Sequence, residues 1–299
     1  MKTLFALINR NRKLFFRDKG MLFSSLITPI ILIVLYGTFL ANVYKQSFES
    51  SLPEFMDVSE KLINGTVASQ LAAALLAVSC VTVTFCVNLT MIQDRANGSR
   101  KDFNVAPVKK PVIYLGYFFS TVLNSLMVNL LALVICLAYI KTMGWYLNAG
   151  DIVLLLIDIV VLILFGTVLS SIVCYPLKTQ GQMSAVGTIV SAGYGFVCGA
   201  YMPISNFSKG LQKGMSYLPS TYGTSMLKNH MLRGVFEEME AKGFPGEVVT
   251  GIADSLDCNP VFRGHVVTTT EMLIIMIGAV LLLGAVYLVM TAVPEKNQG

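Results

Sequence analysis

The sequence predicts an all-α polytopic membrane protein with six transmembrane helices, and three observations predict it. Of its 299 residues, 55% are hydrophobic and only 13% are charged, about half the charged share of an average soluble domain. Several apolar runs exceed the roughly 20 residues that a helix needs to cross a ~30 Å hydrocarbon core. The runs are continuous rather than alternating, which excludes a membrane barrel. Helical backbone is then the remaining way to satisfy every N–H and C=O in lipid.

The spans are placed at 21–43, 66–92, 112–140, 151–174, 183–203 and 268–293, within a single transmembrane domain covering 1–299. Residues 1–20 precede them. Leu4, Phe5, Ile8, Phe15 and Phe16 recur there at near-helical spacing, with Arg10, Arg12, Lys13 and Arg17 among them. That pattern describes an amphipathic helix in the interface, its cations against lipid headgroups. The 21–43 run exceeds the 7–15 residues of a signal-peptide apolar region and is expected to be retained. Residues 44–64 form a short acidic loop carrying Glu49, Glu54, Asp57 and Glu60. In 204–267, Phe207, Leu211, Met215 and Leu218 repeat at helical spacing, Pro219 interrupts, and Tyr222, Met226, Leu227, Met231 and Val235 resume. Two short helices dipping into the outer leaflet are expected. The following 236–265, with Gly243, Pro245, Gly246 and Pro260, reads as a small irregular cap.

Orientation follows from the basic residues. Thirteen of the 22 Lys and Arg fall before the first span, in the 2–3 and 4–5 loops and in the tail, whereas nine are spread over about twice the length on the other side. The dense side is cytoplasmic by the positive-inside rule, with both termini inside. The net charge of +5 is therefore explained by topology, and no nucleic-acid partner is expected.

Little points to chemistry on the chain itself. Five of the six cysteines (Cys80, Cys86, Cys136, Cys174 and Cys198) lie in apolar runs and Cys258 stands alone in a polar stretch; neither a disulfide framework nor a metal spacing is present. His230 and His265 have no HExxH or GxSxG context. No stretch fits the phosphate-cradling G-x-x-x-x-G-K-[ST] pattern, so an energy source must come from elsewhere. Asp158 is the one ionisable group well inside a span, about two turns from the outer end of span four, and no Lys or Arg lies in a span to pair with it. A buried acid of this kind is a functional candidate, in contact with substrate or proton, bonded to a neighbouring helix, or facing interfacial water. Asn88, Asn124 and Asn129 line a path or hold helices together. In the 94–107 stretch, Asp94, Arg95, Arg100, Lys101 and Asp102 mix signs around Gly98, with Phe103 and Val105 between charges and Pro107 closing the segment. A solvated loop explains the bases; the apolar anchors favour a short helix docking on a soluble partner.

Taken in order, these features resemble the type-2 ABC transporter permease family, of the kind that exports drugs such as daunorubicin. The resemblance is carried by Arg10-Asn11-Arg12-Lys13-Leu14-Phe15-Phe16-Arg17 running into a span with Pro29, by Arg95, Gly98 and Pro107 in the 2–3 loop followed by Lys109-Lys110-Pro111, and by Cys198-Gly199-Ala200-Tyr201-Met202-Pro203 ahead of Met215-Ser216-Tyr217-Leu218-Pro219. Gln93-Asp94 stands where family members commonly carry glutamates. The resemblance implies a cytoplasmic coupling loop at 94–110, with Asp94, Arg95, Gly98, Arg100, Lys101, Phe103 and Pro107 meeting a separate ABC ATPase that holds ATP and Mg; this chain itself would need no cofactor, metal or catalytic residue. It further implies a second permease copy or paralogue and outward movement of an amphiphile, with Asn88, Asn124, Asn129 and Asp158 as path candidates. Two other classes stay open on the residues: an ion-gradient-coupled carrier using Asp158, and a membrane sensor or scaffold acting through its cap.

Overall fold

The computed structural model describes residues 2–35, 58–99 and 108–292. Helix α1 (Lys2–Arg17) buries Leu7, Asn11 and Phe15, a four-residue repeat that turns one face onto the bundle. Leu7 meets Tyr114 and Tyr117, and Phe15 meets Val83, Val87 and Val128. The chain then corners at Asp18, whose Oδ1 accepts from the Met21 amide at 3.1 Å and caps α2 (Lys19–Leu35) as short polar side chains do at helix starts.

Helix α3 (Glu60–Ala96) has 37 residues, a length of about 55 Å, and forms the axis of the molecule. Around it pack α2, α4 (Lys110–Met143), α5 (Ala149–Cys174), α6 (Gln180–Val197) and α8 (Pro219–Ala241). Small residues make an enclosed helix possible. Ala72, Ala73, Ala74 and Ala77 are buried, and a Cβ on Gly166 of α5 would stand 3.1 Å from Val81 Cα and 2.6 Å from Thr84 Oγ1. Backbones approach this closely only where side chains are absent or short. Reciprocal caps start α5 (Asn148 with Asp151) and α6 (Thr179 with Gln182), each satisfying amides that a helix start leaves free.

Beyond α6 come a 3-10 turn (Ile204–Asn206), α7 (Lys209–Met215), α8, α9 (Gly246–Ser255), a two-stranded hairpin of β1 (Val261–Phe262) and β2 (His265–Val266), and α10 (Thr269–Ala292). A second, smaller core forms where Leu62 and Ile63 of α3 meet Leu232, Val235 and Met239 of α8 and Val249, Ile252 and Ala253 of α9.

Among the described residues, four helices are long and apolar enough to cross a membrane: α3, α4, α5 and α10. The predicted first span is described as far as Leu35, and its remainder, 36–43, lies outside the described residues. Over the predicted fifth span, 183–203, the helical segment has different ends. The helix is Gln180–Val197, and Gly199 at φ +73° turns the chain away so that Tyr201 folds back on Gly195. Of the expected 44–64 loop, Glu60–Asn64 instead begins α3, and 44–57 is outside the described residues. Pro219 does not break a helix; it occupies the first turn of α8, where its missing N–H costs nothing. The expected irregular cap is ordered secondary structure: α8 continues to Ala241, Gly243 at φ +83° ends it, and Pro245 leads into α9. Arg263 and Gly264, at φ +52° and +85°, make the two-residue turn that suits a hairpin.

Candidate functional site

Two polar sites stand out, one at each end of the bundle. The first is built where α3 stops. Three consecutive side chains there reach three different directions. Gln93 Nε2 donates to Asp18 Oδ2 at the α1–α2 corner, 3.4 Å. Asp94 accepts a two-pronged bond from Arg10 of α1, at 2.6 and 2.9 Å, and a third from Tyr117 Oη of α4 at 2.5 Å. Arg95 turns the other way, donating to the Leu177 carbonyl at 2.8 Å, to the Cys174 carbonyl at 3.4 Å, to the Tyr175 carbonyl and to Tyr114 Oη at 3.3 Å.

Helical geometry explains the spread, since successive residues project about 100° apart. Electrostatics explains its persistence. The Asp94 side chain is 8% exposed, and a carboxylate so enclosed requires a paired cation and further donors. The bond from Asp94 raises the Arg10 pKa above the usual guanidinium value, against the opposing pull of burial. Arg95 also lies over the Tyr175 ring, 5.5 Å from its centroid, and the Tyr175 ring meets that of Tyr114 at a tilt of 45° with centroids 5.2 Å apart. Asn11, the residue after Arg10 on α1, donates from Nδ2 to Ser120 Oγ of α4 at 3.3 Å. The knot thus joins α1, α3, α4 and the end of α5.

Sequence reading placed Asp94 and Arg95 in a loop running 94–110. The structure keeps both inside α3, which continues through Ala96, and turns their side chains into the bundle. Gly98 leaves the helix at φ +76°, with its amide donating to the Arg95 carbonyl at 3.2 Å. Arg100, Lys101, Phe103 and Pro107 lie outside the described residues. Arg10, Tyr114 and Tyr117 were not singled out as members of the site, because nothing local in the sequence links them to Asp94 or Arg95. A groove of about 470 Å³ runs along α1, lined by Ala6, Asn9, Arg10, Lys13, Leu14 and Arg17.

The second site lies at the opposite end, where α8 runs antiparallel to α5. His230 Nδ1 is 2.6 Å from Asp158 Oδ2, Arg233 Nε is 3.8 Å from Asp151 Oδ1, and Gly223 faces Leu162. Asp158 therefore has a partner on a neighbouring helix, a histidine of the 204–267 segment rather than a Lys or Arg of a span. Lys228, 1% exposed, donates to the Gly199 carbonyl at 3.1 Å and to Asp257 Oδ2 at 3.4 Å; the same Asp257 oxygen accepts from the Ile204 amide at 2.9 Å.

The remaining path candidates are separate from both sites. Asn88 Nδ2 donates to Ser170 and Ser171 of α5 at 3.1 and 3.0 Å. Asn129 Nδ2 donates to the Ser125 carbonyl of its own helix. Asn124 is buried with no side-chain partner among the described residues.

An enclosed helical bundle with apolar spans, a polar knot at one end and an ordered cap at the other defines a multi-span membrane protein. A family model for the ABC-2 type transporter matches residues 2–232, well over half of the chain, and the chain belongs to that family. It is therefore a membrane subunit of an ABC transporter. No curated protein matches the chain.

Proposed function

We propose that this chain is the permease half of an exporter, driven by a separate ABC ATPase that carries the ATP and Mg, and that it moves an amphiphile outward. The end holding the knot, where α1 and the C-terminal end of α10 also lie, faces the cytoplasm in this reading, as the thirteen basic residues require. The 97–109 connection meets the ATPase, and α7 with the first turns of α8 re-enters the outer leaflet.

The observation that carries the reading is the three-way grip of Gln93, Asp94 and Arg95. A push on the short connection after Ala96 cannot stay local, because these side chains pass it to α1, to α4 and to the end of α5 leading into α6. Helix α6 supports a dimeric assembly. Gly195 is its one buried residue, while Gly181 and Gly193 have open space beside them. A second copy or a paralogue laid on that face would close a seam of glycine and serine suited to a weakly polar, membrane-soluble cargo.

The test uses Arg95→Ala in membranes that also contain the ATPase. The expected result is an inserted protein that still co-purifies with its ATPase but loses at least about tenfold in transport, since Arg95 faces the bundle rather than the partner. Normal transport would contradict the coupling role; loss of the ATPase from the purified complex would make Arg95 a docking residue instead.

A further inference from the structure

The α5–α8 contact is held by two acid–base rungs, and one differs in kind. Arg233 is half exposed and shares its charge between Asp151 and Glu237. Lys228 is committed to Gly199 and Asp257. Asp158 has only His230 among the described residues. Its side chain is 2% exposed and that of His230 is 16% exposed, so a proton can reach the imidazole while the carboxylate stays enclosed.

Counting protons shows what the pair tolerates. With one proton between them, the two groups are net neutral whichever holds it, either as carboxylate with imidazolium or as carboxylic acid with imidazole. A second proton leaves an uncompensated imidazolium on a helix that already carries Lys228 and Arg233. Removing the single proton that imidazolium would hold leaves an anion at depth with a neutral partner. Among the described residues, the groups around the pair supply no substitute charge. Helix α3 offers the buried Cys80 thiol, beside Tyr194 of α6. Helix α10 packs Met272 and Met276 against α8 around Tyr222, Gly223 and Met226, and α9 packs Val249 and Ile252 in the cluster of Leu232 and Val235 farther along the same helix. Histidine is the side chain that changes charge between pH 5 and 8.

We propose that Asp158 and His230 form a one-proton site that fastens α8 to α5, and that uptake of a second proton from the cap side loosens this seam. The Lys228 tie to Gly199 and Asp257 and the Arg233 pair with Asp151 do not depend on this proton, so the loosening is confined to the Asp158–His230 rung. The site regulates the permease and supplies no driving energy. It stands independently of which ATPase or cargo the transporter uses.

The chain has two histidines, so His265→Gln leaves His230 as the only one. In that full-length variant, purified in detergent with ¹³C-labelled histidine, the His230 ring resonance is expected to move between pH 8 and 5, and the unfolding midpoint to fall by at least about 3 °C over the same interval. The double variant Asp158→Asn/His230→Gln keeps a neutral hydrogen bond and is expected to hold a flat midpoint across that interval. An unfolding midpoint of the His265→Gln variant that stays flat between pH 8 and 5 overturns the proposal, even if the double variant fails to fold. A double variant with the same pH profile as the parent overturns it as well.

Discussion

At Asp94 a single carboxylate gathers Arg10, Tyr117 and the end of α3. Removing its charge takes the two-pronged carboxylate bond from the half-buried Arg10, a loss of about 1–3 kcal/mol after allowing for the exposure of the guanidinium. A thermal-unfolding double-mutant cycle with Arg10→Gln and Asp94→Asn is expected to show coupling of that size, and additivity would mean the pair is incidental. Gly98 is a backbone requirement of another sort. At φ +76° an alanine pays about 1–2 kcal/mol for the left-handed conformation, and proline, fixed near −65°, cannot follow the chain at all. Gly98→Ala is expected to lower transport partially and Gly98→Pro to abolish it while the protein remains inserted, as read by flux and membrane content. Such residues were half legible in the sequence. Asp94, Arg95 and Gly98 were picked out by charge, proximity and glycine, but the inward direction of the first two was hidden, because a helix end and a loop have the same composition here. The partner of Asp158 was hidden for a related reason: hydrophobic spans announce themselves, and a histidine brought alongside by a folded-back helix does not.

Among the elements, α8 is the one whose role the sequence most understated. Its apolar repeat was visible, yet Pro219 looked like a stop and 236–265 like disorderly cap. Both signals are ambiguous without neighbours, since proline serves equally at a first helical turn and the buried faces of α8 and α9 emerge only against Leu62 and Ile63 of α3. The helix is pinned along its length by Lys228, His230 and Arg233, and at Gly234, where a Cβ would overlap the Tyr146 carbonyl oxygen. The Lys228 pin can be weighed directly. Lys228→Met leaves Asp257 enclosed with only the Ile204 amide as an observed donor and is expected to cost about 3–5 kcal/mol. Adding Asp257→Asn is expected to recover most of it. Unfolding midpoints of the two variants decide the point; an unrecovered double variant would show that the amine packs rather than pairs.

For the whole molecule, the enclosed axis of α3 and the family match over 2–232 agree on a membrane subunit of an ABC transporter. Membrane class was fully legible because apolar length is a local property of the chain. The span ends were less so, since Gly199 and the run 198–203 satisfy an apolar count while turning away from the helix. The central claim, that the connection after α3 meets an intracellular motor, can be measured with one cysteine. All six native cysteines are buried, and burial pushes the Cys258 thiol, in the cap, up to about 12, so it stays protonated and silent at neutral pH. Lys109→Cys places a single accessible thiol beside the 97–109 connection. In intact cells it is predicted to resist a membrane-impermeant thiol reagent and, in inverted vesicles, to cross-link to a nucleotide-hydrolysing subunit. Labelling of that cysteine from outside the cell would contradict the account.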